Sequence, residues 1–163
     1  MKFDLFVPRS NSKIVFATVI TCYTWTMTSL MRLVVYLFTK PEPNGDGRAT
    51  HTAAQWAMHF SEGLVLAPVL ESLILIGMIE LLRALKSSRS AQIFLSALAM
   101  GLLHSFSWHP RGLIIAPAFG IWAAAYLFIK DSSFRVMPAY GIIVLAHFLH
   151  SLMPALADIV YAM

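Results

Sequence analysis

Five stretches of this chain, residues 14–38, 63–82, 91–106, 113–129 and 136–161, stay apolar over lengths that cross or nearly cross a hydrocarbon core of ~30 Å. Inside lipid the backbone has no water to bond, so each such stretch has to close its own hydrogen bonds as a helix. Because 58% of the 163 residues are hydrophobic and only 12% are charged, almost nothing remains for a separate soluble domain. The expected fold is all-α and polytopic, a bundle of about five transmembrane helices. The first stretch reads as a retained helix rather than a signal peptide: its apolar run is long, it carries Arg32, and no small-residue cleavage pattern follows in residues 39–48. Residues 1–52 thus form an N-terminal segment with the first helix and an outer loop, and residues 53–163 form the main helical core.

The basic residues are distributed unevenly between alternate loops. Lys2, Arg9 and Lys13 precede the first span, Arg83, Lys86 and Arg89 separate the second from the third, and Lys130 and Arg135 separate the fourth from the fifth. The opposite side has Lys40 and Arg48, diluted by Glu42 and Asp46, and then Arg111. This bias predicts a cytoplasmic N terminus and an extracytoplasmic C terminus, and the short chain and lack of targeting sequences lead us to expect a prokaryotic inner membrane. The net charge of +4 follows from that topology, and no basic surface interleaved with aromatics points to nucleic acid. Cys22 is the only cysteine and is expected to pack within the first helix, so neither an internal disulfide nor a cysteine-based zinc site is available.

Against this background Glu71, His104 and His147 stand out. An ionisable group at membrane depth costs about 2.5–3.5 kcal/mol on insertion scales, and here three such groups sit on three separate spans. Counted from Arg83, Arg89 and Arg135, they lie twelve, fifteen and twelve residues into their helices, about 18, 22 and 18 Å at ~1.5 Å per residue. One shared layer in the outer half of the membrane is expected. Pro68 either starts or kinks the helix that carries Glu71, which would put the carboxylate near a helix N-terminus. The helix dipole favours the charged form and burial disfavours it, an opposition that can poise a general base. The plainer reading pairs Glu71 with Arg32 or with a polar side chain between helices. Glu62 is expected at the interface, and Glu80 is expected to pair with Arg83.

The local context of these residues resembles the CPBP family, the CAAX proteases and bacteriocin-processing proteins also called the Abi family. Ala67-Pro68-Val69-Leu70-Glu71-Ser72 and the run on to Gly77 resemble its first motif, two adjacent glutamates followed by an Arg-Gly pair. Ala97 to His104 resembles the second, an aromatic residue four before a histidine. Ile143 to Ser151, with His147, resembles the third, a histidine four before an asparagine or similar polar residue. The likeness extends over residues 63–156. Ser72 stands where the family has its second glutamate, Ile76 where it has arginine, Met100 where it has the aromatic residue, and Ser151 where it has asparagine.

The resemblance implies an intramembrane endopeptidase acting on a membrane-anchored protein or peptide, with residues 53–163 as its catalytic core. Glu71 would activate water, and His104 and His147 would position it or stabilise the oxyanion. Ser72, His150 and Ser151 are supporting candidates, His150 chiefly through an interhelical hydrogen bond. No metal is required, although two histidines and a glutamate also form a possible zinc ligand set. Two other readings remain open: a catalytically inactive relative that binds or assembles membrane partners, and a helical haem protein with His104 and His147 as axial ligands. His109 beside Trp108 is a candidate substrate contact, while His51 and His59 read as interfacial residues.

Overall fold

A computed structural model describes residues 13–38, 61–106, 109–133 and 136–162, and these are helical apart from the turns between them. The helices are α1 (Lys13–Phe38), α2 (Ala67–Ala84), α3 (Arg89–His104), α4 (His109–Ser133) and α5 (Val136–Ala162), with a π-helical stretch, Ser61–Leu66, leading into α2. The expected outer loop with His51 and His59, the Trp108 contact and the His109 side chain lie outside the described residues. Among the described residues four helical segments are long and apolar enough to cross a membrane: Lys13–Phe38, Ser61–Ala84, Pro110–Ser132 and Val136–Leu156. The remaining expected span, residues 91–106, is shorter. α3 has 16 residues, a rise of about 24 Å, and ends at His104 where the Ser105 backbone N–H caps the carbonyls of Gly101 and Leu102.

Ion pairs bring several helix ends together. Asp131, near the end of α4, meets Arg89 at the start of α3 at 3.1 Å and Arg83 near the end of α2 at 3.7 Å. Glu80 pairs with Lys130 and accepts a hydrogen bond from the Tyr126 hydroxyl at 2.7 Å. Glu80 therefore does not take Arg83 as its partner. It follows buried Ile79 on the face of α2 that looks toward α4, within reach of Lys130 and Tyr126, which leaves Arg83 to Asp131. α1 begins at this same end, since Phe16 stacks on Phe128 of α4 with ring centroids 6.3 Å apart. It runs parallel to α5, with Thr21 meeting Ala146 and Thr24 meeting His150.

Ala17, Ile20, Leu75, Ile79, Met100, Phe119, Trp122, Tyr126 and Ile143 form the centre of the packed core, drawn from all five helices. Polar side chains are buried among them: Thr21, Thr24, Thr28, Ser72, Gln92, Ser96 and His147. Their demands are met locally, as where the hydroxyls of Thr21, Thr28 and Ser96 donate to carbonyls one turn back at 2.8, 2.9 and 2.6 Å. The outside is apolar instead, with Ile14, Leu37, Phe38, Phe94 and Leu113 all exposed. Water would penalise such a surface, whereas lipid would not. Cys22 is on that outer face and not packed in the core, because the buried stripe of α1 runs through Ala17, Ile20, Thr21, Thr24 and Thr28.

α3 and α4 approach closely where both carry glycine. A Cβ on Gly112 would come within 2.2 Å of the Gly101 carbonyl oxygen, and one on Gly101 within 2.9 Å of the Ala116 Cβ. Gly112→Ala therefore forces apart the two backbones that hold His104, three residues beyond Gly101. We expect it to destabilise the fold by about 1–3 kcal/mol. Gly77→Ala, where a Cβ meets nothing within 4 Å, should be neutral or slightly stabilising. Thermal unfolding of both variants in detergent checks the contrast, and equal midpoints would contradict it.

Candidate functional site

The three ionisable residues singled out in the sequence meet. Glu71 Oε1 is 3.3 Å from His104 Nε2, and its Oε2 is 3.4 Å from His147 Nε2, so one carboxylate bridges imidazoles from two other helices. Glu71 is in α2, His104 is the last residue of α3, and His147 lies near the middle of α5. The side chains of Glu71 and His104 are 25% and 19% exposed, whereas that of His147 is 7% exposed. The cluster thus has a sealed side, at His147, and a side open to a cavity of about 360 Å³. His150, Ser151, Trp122, Phe119, Arg32 and Arg111 share the lining of that cavity with the three.

Pro68 bears on how Glu71 is presented. It occupies one of the first two positions of α2, where its missing N–H costs little. The chain enters α2 from the π-helical stretch with Leu66 already in helical geometry and no side-chain cap. Glu71 accordingly follows an unbroken run of helix, not the bare N-terminus that the sequence led us to expect. A wider turn accommodates the proline ring against the preceding carbonyls, and this keeps the chain helical through the junction. The dipole contribution to Glu71 is correspondingly weaker than an open N-terminus would give.

Hydrogen-bond accounting fixes the proton inventory of the cluster. His104 Nδ1 is 2.8 Å from the Met100 carbonyl oxygen, and a carbonyl only accepts, so Nδ1 carries a proton. In neutral His104 the Nε2 facing Glu71 would then be a lone pair set against an acceptor carboxylate. Their approach is attractive only when one further proton is shared between Glu71 and His104. His147 is arranged differently. Its Nδ1 is 3.4 Å from Ser72 Oγ, so a neutral ring can accept there from the serine and donate through Nε2 to Glu71. Both contacts are longer than ordinary hydrogen bonds.

Aromatic packing holds the histidines in place. Trp122 lies against His147 with ring centroids 4.1 Å apart, and Phe119 packs edge-on to His147 and tilted against His104. His150 makes the interhelical bond expected of it, its Nδ1 lying 3.0 Å from Thr24 Oγ1 on α1. Ser151 lines the cavity, and Ser72 serves His147 alone in this set. Arg32 lines the cavity too, but Glu71 is engaged by the histidines and not by Arg32. Thr24, Trp122 and Phe119 were not picked out in the sequence. A helical stripe at 119, 122 and 126 marks the inner face of α4, but the same spacing would serve any core helix.

The Glu71 carboxylate occupies the space between the two Nε2 atoms, where a bis-histidine haem would need its iron. Among the described residues no group of three or more His, Cys, Asp or Glu side chains is disposed to hold a metal ion. The donor types of Glu71, His104 and His147 nonetheless suit zinc, and movement of the carboxylate would be needed to make them ligands. No family model, curated protein or solved structure matches the chain.

Proposed function

We propose that this chain is an integral membrane protein of five crossings that hydrolyses a peptide bond of a membrane-anchored protein or peptide. The observation that carries the reading is the carboxylate of Glu71 held between two imidazole Nε2 atoms at the wall of a cavity among apolar helices. Resemblance of the residues around Glu71, His104 and His147 to the CPBP motifs supports the same chemistry. With the shared proton on His104, Glu71 is ionised and takes a proton from a water in the cavity. The hydroxide oxygen bonds to the scissile carbonyl carbon, and imidazole N–H groups stabilise the oxyanion that forms, a contribution often worth about 3–4 kcal/mol. Collapse breaks the C–N bond, and the leaving nitrogen takes the proton that Glu71 received.

Ser72 supports a second reading. It bonds His147 where the family has a second carboxylate, so an inactive relative that retains the cavity for binding would keep these contacts. Metal sensitivity distinguishes a base from a ligand. If Glu71 acts on water directly, chelation leaves cleavage largely intact, measured as new termini of membrane proteins in vesicles containing the purified chain. Loss with chelator and recovery with added zinc would instead make Glu71, His104 and His147 metal ligands.

The helix ends that gather Lys130, Arg83 and Arg89 support a cytoplasmic location for that face and for the start of α1. The cavity then lies in the outer half of the membrane, in a bacterial-type inner membrane. A reporter active only outside the cytoplasm is expected to work when fused after Met163 and to stay silent after Lys86. The reverse pattern would invert the topology and the side from which substrate enters.

A further inference from the structure

Arg32 has no place in the water-activating chemistry, yet it lies on the inward stripe of α1. Thr28 is one turn before it and Val35 just under one turn after it, both buried, and Arg32 is the exposed position between them where the cavity opens. A guanidinium inside an apolar span is costly without an anion. Among the described residues no acidic side chain pairs with it: Glu80 and Asp131 are engaged at the far end of the bundle, Glu71 is held by histidines, and Glu62 makes no ion pair with it. Arg111, near the start of α4, reaches the same cavity from another wall. Among the described lining residues the cationic side chains are thus Arg32 and Arg111 and the carboxylate is Glu71.

We infer that Arg32 and Arg111 form an anion subsite that receives a carboxylate of the peptide substrate, so that the enzyme selects substrates with an acidic side chain or a free C-terminal carboxylate near the scissile bond. Assignment of the anion to a substrate rests on the peptide-hydrolase reading given above. A carboxylate fits because a planar guanidinium offers parallel N–H donors spaced for two oxygens of one group. The subsite and Glu71 also line one continuous cavity, so a chain anchored by its carboxylate would present a nearby carbonyl to the water that Glu71 activates. A lipid phosphate would meet the same charge, but it would fill the cavity that a peptide has to enter.

Binding can be measured apart from cleavage. The purified full chain in detergent is titrated with N-acetyl-trialanine as the free acid, with its C-terminal amide, with that amide carrying one internal glutamate, and with glycerol 3-phosphate. Either carboxylate peptide is expected to bind about ten- to hundredfold tighter than the neutral amide. The better of the two identifies the source of the carboxylate. Arg32→Gln should erase the preference and Arg32→Lys should keep part of it, with Arg111→Gln as a second variant should Arg32→Gln fail to fold. Glu71→Gln should retain the preference, and the same preference in a parent chain that cleaves nothing would sink the hydrolase reading alone. Equal binding of acid and amide by a chain that does cleave would overturn the subsite alone. Tighter, Arg32-dependent binding of glycerol 3-phosphate would reassign it to a lipid headgroup.

Discussion

Glu71→Gln is expected to slow cleavage of a membrane-anchored substrate in vesicles roughly 10²–10⁴-fold, the usual contribution of a positioned general base. The substitution preserves size and keeps a polar group between His104 and His147, whose Nε2 atoms are 3.3 and 3.4 Å from the carboxylate. It removes the charge and the ability to take a proton. A carboxylate that served only to join helices would be largely replaceable by the amide, because an amide can accept from one ring and donate to the other. Accumulation and unfolding temperature should therefore change little while the rate collapses. A variant that is scarce or unfolded would not test catalysis, so the rate is compared at matched amounts of inserted protein.

His104→Ala and His147→Ala should cost comparably to one another, and the double variant should be little slower than either single one, because groups that act as a unit lose most of their effect with the first removal. The two should differ in stability. His147 is packed against Trp122 and Phe119 with 7% of its side chain exposed, so truncation leaves a void and an unpaired Ser72, whereas His104 at the end of α3 borders the cavity. His147→Ala should lower the unfolding temperature more. His150→Ala should slow cleavage far less than either, since its bond to Thr24 ties α5 to α1. Rates that multiply independently in the double variant would argue against a single catalytic unit.

The convergence of Glu71, His104 and His147 was legible because charge inside an apolar span is rare and because distance along a helix translates directly into depth. Counting from Arg83, Arg89 and Arg135 placed them in one layer, and side-chain contacts at 3.3 and 3.4 Å join them. Rotation about each helix axis was not legible from that count. It decides that Glu80 meets Lys130 and Tyr126 in place of Arg83, and that Cys22 points outward while Thr24 points in toward His150. The shortness of α3 was legible, since the apolar stretch 91–106 is no longer than the helix, but its boundaries were not: the helix starts at Arg89 and has already ended at His104. The close crossing at Gly101 and Gly112 depends on two glycines brought together by the turn between helices, a juxtaposition that neither position reveals alone.

The central claim is that Glu71 makes this chain a peptide hydrolase, and the most direct measurement is a census of new protein termini in membranes containing the parent chain or Glu71→Gln at equal abundance. A defined set of termini at or near transmembrane segments should appear with the parent and be absent with the variant. The same termini at the same levels in both membranes would contradict the account and leave the cavity as a binding site.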